Sequence, residues 1–515
     1  MMYTFVTATD QEGMRAALPV FTSHWDVITG ALIHVFKLAT PSTTRLAALT
    51  FLSSLMAELA NSQRQRCPMG HHGNNSNHDD NDAGIIADMM QELDGSSDEE
   101  ESTGSRLCCV LLSASDGTVS RTSDDKGSTA LADERTGVVS ALRNLLAASQ
   151  RAKKAAIKNG MIESVLDAIR YTHAKLNAEC LQHPRPVAKK KEEPLLLHLI
   201  SQMGLLQNCL CDNQEAKLNS HEAGLTTVLQ KLWPWSLLDN RLLAATLSLL
   251  VAYTAKCTPV CSSLAQCNPG QSGSSLLHRL IQLAGQRSAG SRGGQAKDDH
   301  QLTATLFAVL CNAASSAECR NVMWKSGFLQ KAAKLTQPRK RATNGRQSSA
   351  GGSHRQMSGA LWLRLLASLT FSPEGQQMVM RIPEVLEILL LLGESGTDEV
   401  EYLSTLTLHN LCFLNANKPK LLASEANLAF FESKLLSGRE SLQNLAAHAL
   451  WALLHGSQKA KAVLKSSSLY QSLLDVQTRL PTSPPQPLPS ITAQPGGAES
   501  SLYQAVLSAV TLMKE

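Results

Sequence analysis

Four potential metal ligands lie close together in the first part of the sequence: Cys67, His71, His72 and His78. Thiolate and imidazole groups bind zinc, which usually takes four of them at defined spacings on a tight fold. The spacing here matches no such pattern, and the neighbouring residues are mostly Asn, Gly and Asp. We therefore expect no metal site in this segment, and the sequence indicates no cofactor.

Motifs that carry catalysis are absent from the sequence. It has no GxxxxGK[ST] phosphate loop, no GxGxxG after a strand, no HExxH and no GxSxG. A helical repeat protein without a convergent set of polar residues is a poor candidate for an enzyme. We predict a protein without catalytic residues.

Asparagines at a recurring position are the candidate partner-binding residues. Each stands two residues after a Leu, and an Asn of this kind lines the concave groove of armadillo proteins that hold extended peptides. Those proteins carry a Trp one turn earlier, whereas this chain has Ser140, Gly204, Ala308 and Leu406 there. The alternative is that the amides bond neighbouring backbone within the repeat. The four candidates are Asn144, Asn208, Asn312 and Asn410.

The recurring Asn belongs to a longer pattern. A basic residue follows it, then a Gly, as in Asn144, Lys153 and Gly160. After the Gly, apolar residues fall at i, i+3, i+4 and i+7, which is one face of an α-helix. Looser copies begin at Leu366 and Leu450. Two further stretches, 45–59 and 242–253, are candidates for the same unit.

Stacked helix pairs of this kind predict an all-α fold, an armadillo/HEAT-like α-solenoid with disordered inserted loops, since one pair cannot bury both of its faces alone. The spacing of the last copies matches the armadillo/HEAT period of about 40–47 residues. The predicted domains are N-terminal helices (1–61), a disordered acidic insertion (62–137), armadillo-like repeats (138–283, 301–335 and 358–478), a flexible loop (284–300), a basic flexible loop (336–357), a Pro-rich linker (479–499) and a C-terminal helix (500–515).

Composition agrees with this class. The 515 residues are 43% hydrophobic and only 4% aromatic, which favours helices over strands. The 12 cysteines include no CxxC pair, and the first residues lack the features of a secretory signal. No apolar run approaches the roughly 20 residues that span a bilayer. We expect reduced thiols, a cytosolic location and no membrane partner.

The basic loop around Arg339, Lys340 and Arg341 offers an alternative function, a nuclear transport or chromatin adaptor. Neither this loop nor the other basic runs contain interleaved aromatic residues, so stacking on bases has no support. The formal net charge of +4 is small for this length. We do not expect a nucleic-acid partner.

Two neighbouring stretches carry a resemblance to a known family: TLTLHNLCFLNANKPKLLASE and AAHALWALLHGSQKAKAVLKS. They resemble the carboxy-terminal end of the rotatin family, very large armadillo-like proteins of centrioles and ciliary basal bodies. The similarity is most specific from Ser404 to Ser467, and LRNLLAASQRAKKAAIKNGMIESVLDAI is also similar.

The resemblance implies a scaffold role in centriole assembly and elongation, with consequences for cilia and left-right axis specification. It implies centriolar or basal-body proteins as partners and a location at the centrosome and cytoskeleton. Because family members are several times longer, it also implies a C-terminal portion, a short isoform or an incomplete gene model. The family has no established catalytic residues to carry over.

Overall fold

The structure is a computed structural model that describes residues 20–38, 40–66, 79–95, 102–120, 129–182, 185–267, 274–288, 296–336, 349–395, 397–479 and 497–514. All regular secondary structure in these ranges is helical. None of their helices is long and apolar enough to cross a membrane. The chain forms two compact units, Met1–Val260 and Cys261–Glu515.

The first unit contains the following helices in chain order. They are α1 (Trp25–Lys37), α2 (Ser42–Arg66), α3 (Asp79–Asp94), α4 (Thr103–Ser120), α5 (Thr129–Ala148), α6 (Gln150–Lys158), α7 (Met161–Gln182), α8 (Arg185–Leu210), α9 (Gln214–Glu222), α10 (Leu225–Leu238) and α11 (Asn240–Thr254), and the next helix, α12 (Thr258–Ala265), contains the boundary.

The second unit continues the series. Its helices are α13 (Leu276–Ser288), α14 (Ala296–Ala313), α15 (Ala317–Lys325), α16 (Phe328–Thr336), α17 (Ser349–Leu369), α18 (Pro373–Met380), α19 (Val385–Ser395), α20 (Asp398–Leu411), α21 (Lys418–Leu422), α22 (Glu425–Leu435), α23 (Glu440–Leu454), α24 (Gln458–Lys465), α25 (Leu469–Arg479) and α26 (Gly497–Lys514).

One helix of each repeat packs on the corresponding helix of the preceding repeat, three places earlier in the chain. We call these helices the ladder helices. In the first unit α2, α5, α8 and α11 pack in succession, and in the second α14, α17, α20, α23 and α26 do the same. Between two ladder helices stand a shorter helix and a third one that packs against a ladder helix. A three-helix period is the armadillo arrangement. Both units are therefore armadillo-like arrays.

The same two signals build the turns of successive repeats. A side chain at the N-cap of the short helix accepts a bond from the backbone N–H three residues on, as Ser149 does from Ala152 and Ser457 from Ala460. After the short helix comes the second signal, a glycine: Gly224, which follows α9, adopts a φ of 83°, a left-handed conformation that favours glycine. The chain thereby turns into the third helix of the repeat.

The core of each array lies along its ladder helices. In α2 the side chains of Leu52, Leu55 and Leu59 are fully buried, and in α20 Leu408 and Leu411 are. These leucines recur three or four residues apart, so they form one stripe on each helix. Adjacent ladder helices bury their stripes against each other, which one repeat alone could not do.

One ladder helix accounts for the longest interval between the sequence repeats, and another precedes the first copy. Helix α11 contains residues 242–253 and lies between the copies that begin at Leu206 and Leu310. Helix α2 contains residues 45–59 and precedes the copy at Leu142. Both stretches, 45–59 and 242–253, are candidate units in the sequence, and both lie in ladder helices.

The prediction of disorder over 62–137 was wrong for the residues that form α3 and α4, and also for the end of α2, to Arg66, and the start of α5, from Thr129. Met89 and Leu93 in α3, and Leu107 and Leu111 in α4, are fully buried. Their spacing of four residues makes one apolar face, which packs on the repeats although the segment as a whole is polar. Residues 67–78, 96–101 and 121–128 lie outside the described residues.

The two predicted loops are shorter than the sequence suggested. Helix α13 runs to Ser288, and helix α14 starts at Ala296, inside the predicted loop 284–300. Helix α17 starts at Ser349, inside 336–357. The C-terminal helix predicted at 500–515 corresponds to α26, which packs on α23 and α25. The other domain boundaries stay predictions.

Candidate partner-binding surface

In the first unit, the recurring asparagines link each ladder helix to the preceding one. The Asn144 Nδ2 of α5 donates to the Ser53 carbonyl at 2.9 Å and to Ser53 Oγ at 3.0 Å. The Asn208 Nδ2 of α8 donates to the Arg143 carbonyl at 2.8 Å. Both side-chain amides donate to a backbone carbonyl of the preceding repeat. The alternative considered in the sequence analysis placed such a bond within one repeat.

The two asparagines of the second unit have different surroundings. Asn410 is 7% exposed, and its Nδ2 donates to Thr370 Oγ1 at 3.1 Å. Its Oδ1 lies 2.9 Å from the Nδ1 of His409. Asn312 is half-buried, and its carbonyl accepts from the Cys261 thiol at 3.4 Å. That the four asparagines bind a partner stays a prediction.

Three lysines of the repeat pattern also form hydrogen bonds between repeats. The ammonium groups of Lys153, Lys217 and Lys418 donate to the carbonyl that follows the next ladder helix, at 2.7, 2.5 and 2.7 Å. All three lysines are buried. A cation at a helix C-terminus satisfies carbonyls that the helix leaves free. Burial lowers the pKa of Lys153 and of Lys418.

Arg320 occupies the same place in the sequence pattern but bonds differently. Its Nη1 donates to the Ala314 and Ser315 carbonyls at 2.9 and 3.0 Å, which belong to the turn before its own helix. Its Nη2 lies 3.3 Å from the Glu374 carboxylate. The basic residues of the repeats therefore stabilise turns.

A contiguous group of rings lies where α20 and α23 end, and we call it the aromatic ridge: His409, Phe413, His448, Trp451 and His455. Ring centroids are 5.0 Å apart for His409 and Phe413, and 6.4 Å for Phe413 and Trp451. The pairs His409–His448 and Trp451–His455 are 6.4 and 5.5 Å apart. The ridge thus joins two neighbouring repeats.

Helical spacing puts these rings together. His409 and Phe413 are four residues apart, and His448, Trp451 and His455 are three and four apart, so each set lies on one side of a helix end and the turn that follows it. Phe413 is 48% exposed, a large fraction for a phenyl ring. Phe371 follows α17, the preceding ladder helix, and is 73% exposed.

Two imidazoles of the ridge are uncharged at neutral pH. Burial, aided by the neighbouring His448, lowers the pKa of His409 to about 4, although the bond to Asn410 acts in the opposite direction. Burial also lowers the pKa of His448. Both imidazoles are neutral at pH 7. Aromatic rings, with few charged groups among them, are typical of the centre of a protein–protein interface.

Sequence reasoning selected Asn410 but not the rings beside it. The signal was present in the stretches LHNLCFL and AAHALWALLHG, where His and aromatic residues recur at helical spacing. That spacing alone does not distinguish a buried face from an exposed one. The exposed fractions of Phe371 and Phe413 make that distinction.

The potential ligands from Cys67 to His78 and the basic loop around Arg339 lie outside the described residues. Within the described part of the chain, no group of three or more His, Cys, Asp or Glu side chains could hold a metal ion.

Comparison with known proteins gives two curated relatives. Rotatin of Mus musculus is 32% identical over 458 residues, which are 87% of this chain. Rotatin of Homo sapiens is 35% identical over 339 residues, 64% of this chain. The chain resembles rotatin. It spans less than a fifth of either rotatin, since the matches cover 19% of the mouse protein and 14% of the human one.

A solved structure supports the fold. An engineered protein matches with a TM-score of 0.51 and 17% identity over 95% of this chain and 99% of that chain. At this identity the match shows the fold alone. The predicted fold class, an all-α armadillo/HEAT-like α-solenoid, is confirmed. No family model matches the chain.

Proposed function

We propose that this chain is a non-enzymatic armadillo-like scaffold for protein–protein interaction at the centriole and ciliary basal body. In this role it supports centriole assembly and elongation, cilium formation and left-right axis specification. The resemblance to rotatin supports the location, and the repeat fold supports the scaffold role. Its partners are centriolar or basal-body proteins, and its location is the cytoskeleton at the centrosome.

The aromatic ridge is the observation that carries the scaffold role. Interfaces are enriched in aromatic residues, and a few large side chains supply most of the binding energy. Phe413 and Phe371 expose 48% and 73% of their surface on successive repeats. A partner that covers these rings gains hydrophobic energy and does not have to desolvate a charged His409 or His448, because both are neutral.

Imaging with variants of Phe413 in the ridge and of Phe371 on the preceding repeat tests this proposal. The tagged chain is expressed in ciliated cells beside a centriole marker, and proximity labelling records its neighbours. We expect two discrete spots on the marker for the wild type, and loss of labelled partners when Phe371→Ala and Phe413→Ala are combined. The control is Leu436→Ala, another exposed apolar residue of the second unit, at 46%.

Two results would contradict the proposal at different levels. A diffuse or nuclear signal of the wild type would remove the centriolar role, and a nuclear signal would favour the adaptor function of the basic loop. A set of labelled partners that the double variant leaves unchanged would remove the ridge as the binding surface.

A further inference from the structure

A cleft opens between α7 and α10 in the first unit. It encloses about 590 Å³. Basic side chains line it, namely Arg170 and His173 from α7 and Lys231 from α10. Val228 and Leu232 of α10 also line it and are 5% and 0% exposed. The cleft therefore combines an apolar floor with a basic rim.

Two hydrogen bonds hold the walls of the cleft at its ends. The Nη2 of Arg170 donates to the Ala223 carbonyl at 2.6 Å, just before α10 begins. The Trp235 indole Nε1 donates to Asn177 Oδ1 at 2.7 Å, near the other end of α10. From Arg170 to Asn177 the helix rises about 10 Å, at 1.5 Å per residue.

The cleft between these two ends is open because small residues line it. Ala174 of α7, Gly224 just before α10 and Thr227 of α10 line the cleft. None of the three carries a large side chain, so the space between the two helices stays open. The gap has room for about three residues of an extended peptide, at 3.3 Å per residue.

Arg170 and Lys231 line the cleft, and no carboxylate is among its lining residues. Arg170 pairs with Asp167 at 2.6 Å, but that carboxylate is 73% exposed and does not line the cleft. Lys231 is exposed and forms no salt bridge with a carboxylate of the described residues. Burial and the nearby Lys231 lower the pKa of His173, so the imidazole is neutral at pH 7 and the two cations define the rim.

We propose that this cleft binds an extended acidic segment of a partner protein. One carboxylate of the segment pairs with Lys231 and Arg170, and an apolar side chain beside it rests on Val228. Two cations over an apolar floor suit such a segment better than a nucleic acid, whose phosphates require a longer track of basic residues. The cleft lies in the first unit and is independent of the aromatic ridge in the second.

A peptide-display selection with the full chain tests this site. The probe is a library of random peptides, selected in parallel on the wild type, on Lys231→Glu and on Lys175→Glu. Lys175 is an exposed lysine of α7 that does not line the cleft, so it provides the same charge change outside the site. We expect the wild type and Lys175→Glu to select peptides with Asp or Glu next to an apolar residue.

Fluorescence anisotropy with the most enriched peptide then measures affinity. Lys231→Glu is expected to weaken binding at least about tenfold, because reversal of one charge turns an attraction into a repulsion. Replacement of the peptide's acidic residue by Lys should restore affinity for Lys231→Glu relative to the wild type. Circular dichroism of the variants should be unchanged, since both lysines are exposed.

Three outcomes would overturn the proposal. They are selection of basic or purely apolar peptides by the wild type, equal affinities of Lys231→Glu and Lys175→Glu, and no binding of any selected peptide at about 1 mM.

Discussion

At the C-terminal end of a ladder helix, a buried lysine from a short helix donates to the carbonyl that follows the ladder helix. The ammonium takes the place that a water molecule would otherwise occupy. The ammonium of Lys418 lies 2.7 Å from the His455 carbonyl, and Lys153 and Lys217 make the equivalent bond in the first unit. Sequence reasoning found these lysines as a recurring basic position. It could not assign the bond, because the acceptor lies in the next repeat.

Loss of this bond should weaken one turn of the array. Lys418→Met keeps the side chain's length but leaves the carbonyl without its donor. We expect a loss of about 1–3 kcal/mol in the local stability of α23. Hydrogen exchange of the α23 amides measures it. Lys420→Met, an exposed lysine of the same short helix, is the control, and an equal effect of both changes would contradict the role of Lys418.

The neutral imidazole of His409 makes stability depend on pH. Its pKa is lowered to about 4 in the folded chain, so the unfolded chain binds more protons between pH 6.5 and about 4. Stability therefore falls as the pH drops through this window. Relative to His409→Gln, the wild type should lose about 2 kcal/mol from pH 7 to pH 5 in urea unfolding. The same pH slope in both proteins would refute this.

At the scale of elements, the apolar stripes could be predicted and their exceptions could not. The stripe of α20 is visible in the sequence, and Leu411 is fully buried in the structure. Helices α3 and α4 were missed because polar residues dominate their segment, and only four-residue spacing reveals their buried faces. The aromatic ridge was missed because exposure depends on which face the neighbouring helices cover.

Truncation of a stripe residue tests the assignment of the core. Leu411→Ala or Leu453→Ala should cost about 2–5 kcal/mol, since each removes a fully buried side chain from a ladder helix. Urea unfolding monitored by circular dichroism gives the cost. The exposed Leu436 supplies the control Leu436→Ala, for which a change within about 0.5 kcal/mol is expected. Wild-type stability of both core variants would show that the core is misplaced.

At the scale of the whole molecule, energetic coupling should follow the order of the repeats. Each repeat of a solenoid contacts its neighbours, so stability is close to a sum of repeat and nearest-neighbour terms. Leu411 and Leu453 belong to ladder helices α20 and α23, which pack together. Leu206 of α8 is equally buried but belongs to the other compact unit.

Double-mutant cycles measure this order. The combination of Leu411→Ala with Leu453→Ala should depart from additivity by about 0.5–3 kcal/mol, because each change alters the packing of the other helix. The combination of Leu411→Ala with Leu206→Ala should be additive within about 0.5 kcal/mol. Hydrogen exchange should likewise show that Leu411→Ala leaves the protection of α8 unchanged. Strong coupling between Leu206 and Leu411 would mean that the chain unfolds as one cooperative body rather than as an array of repeats.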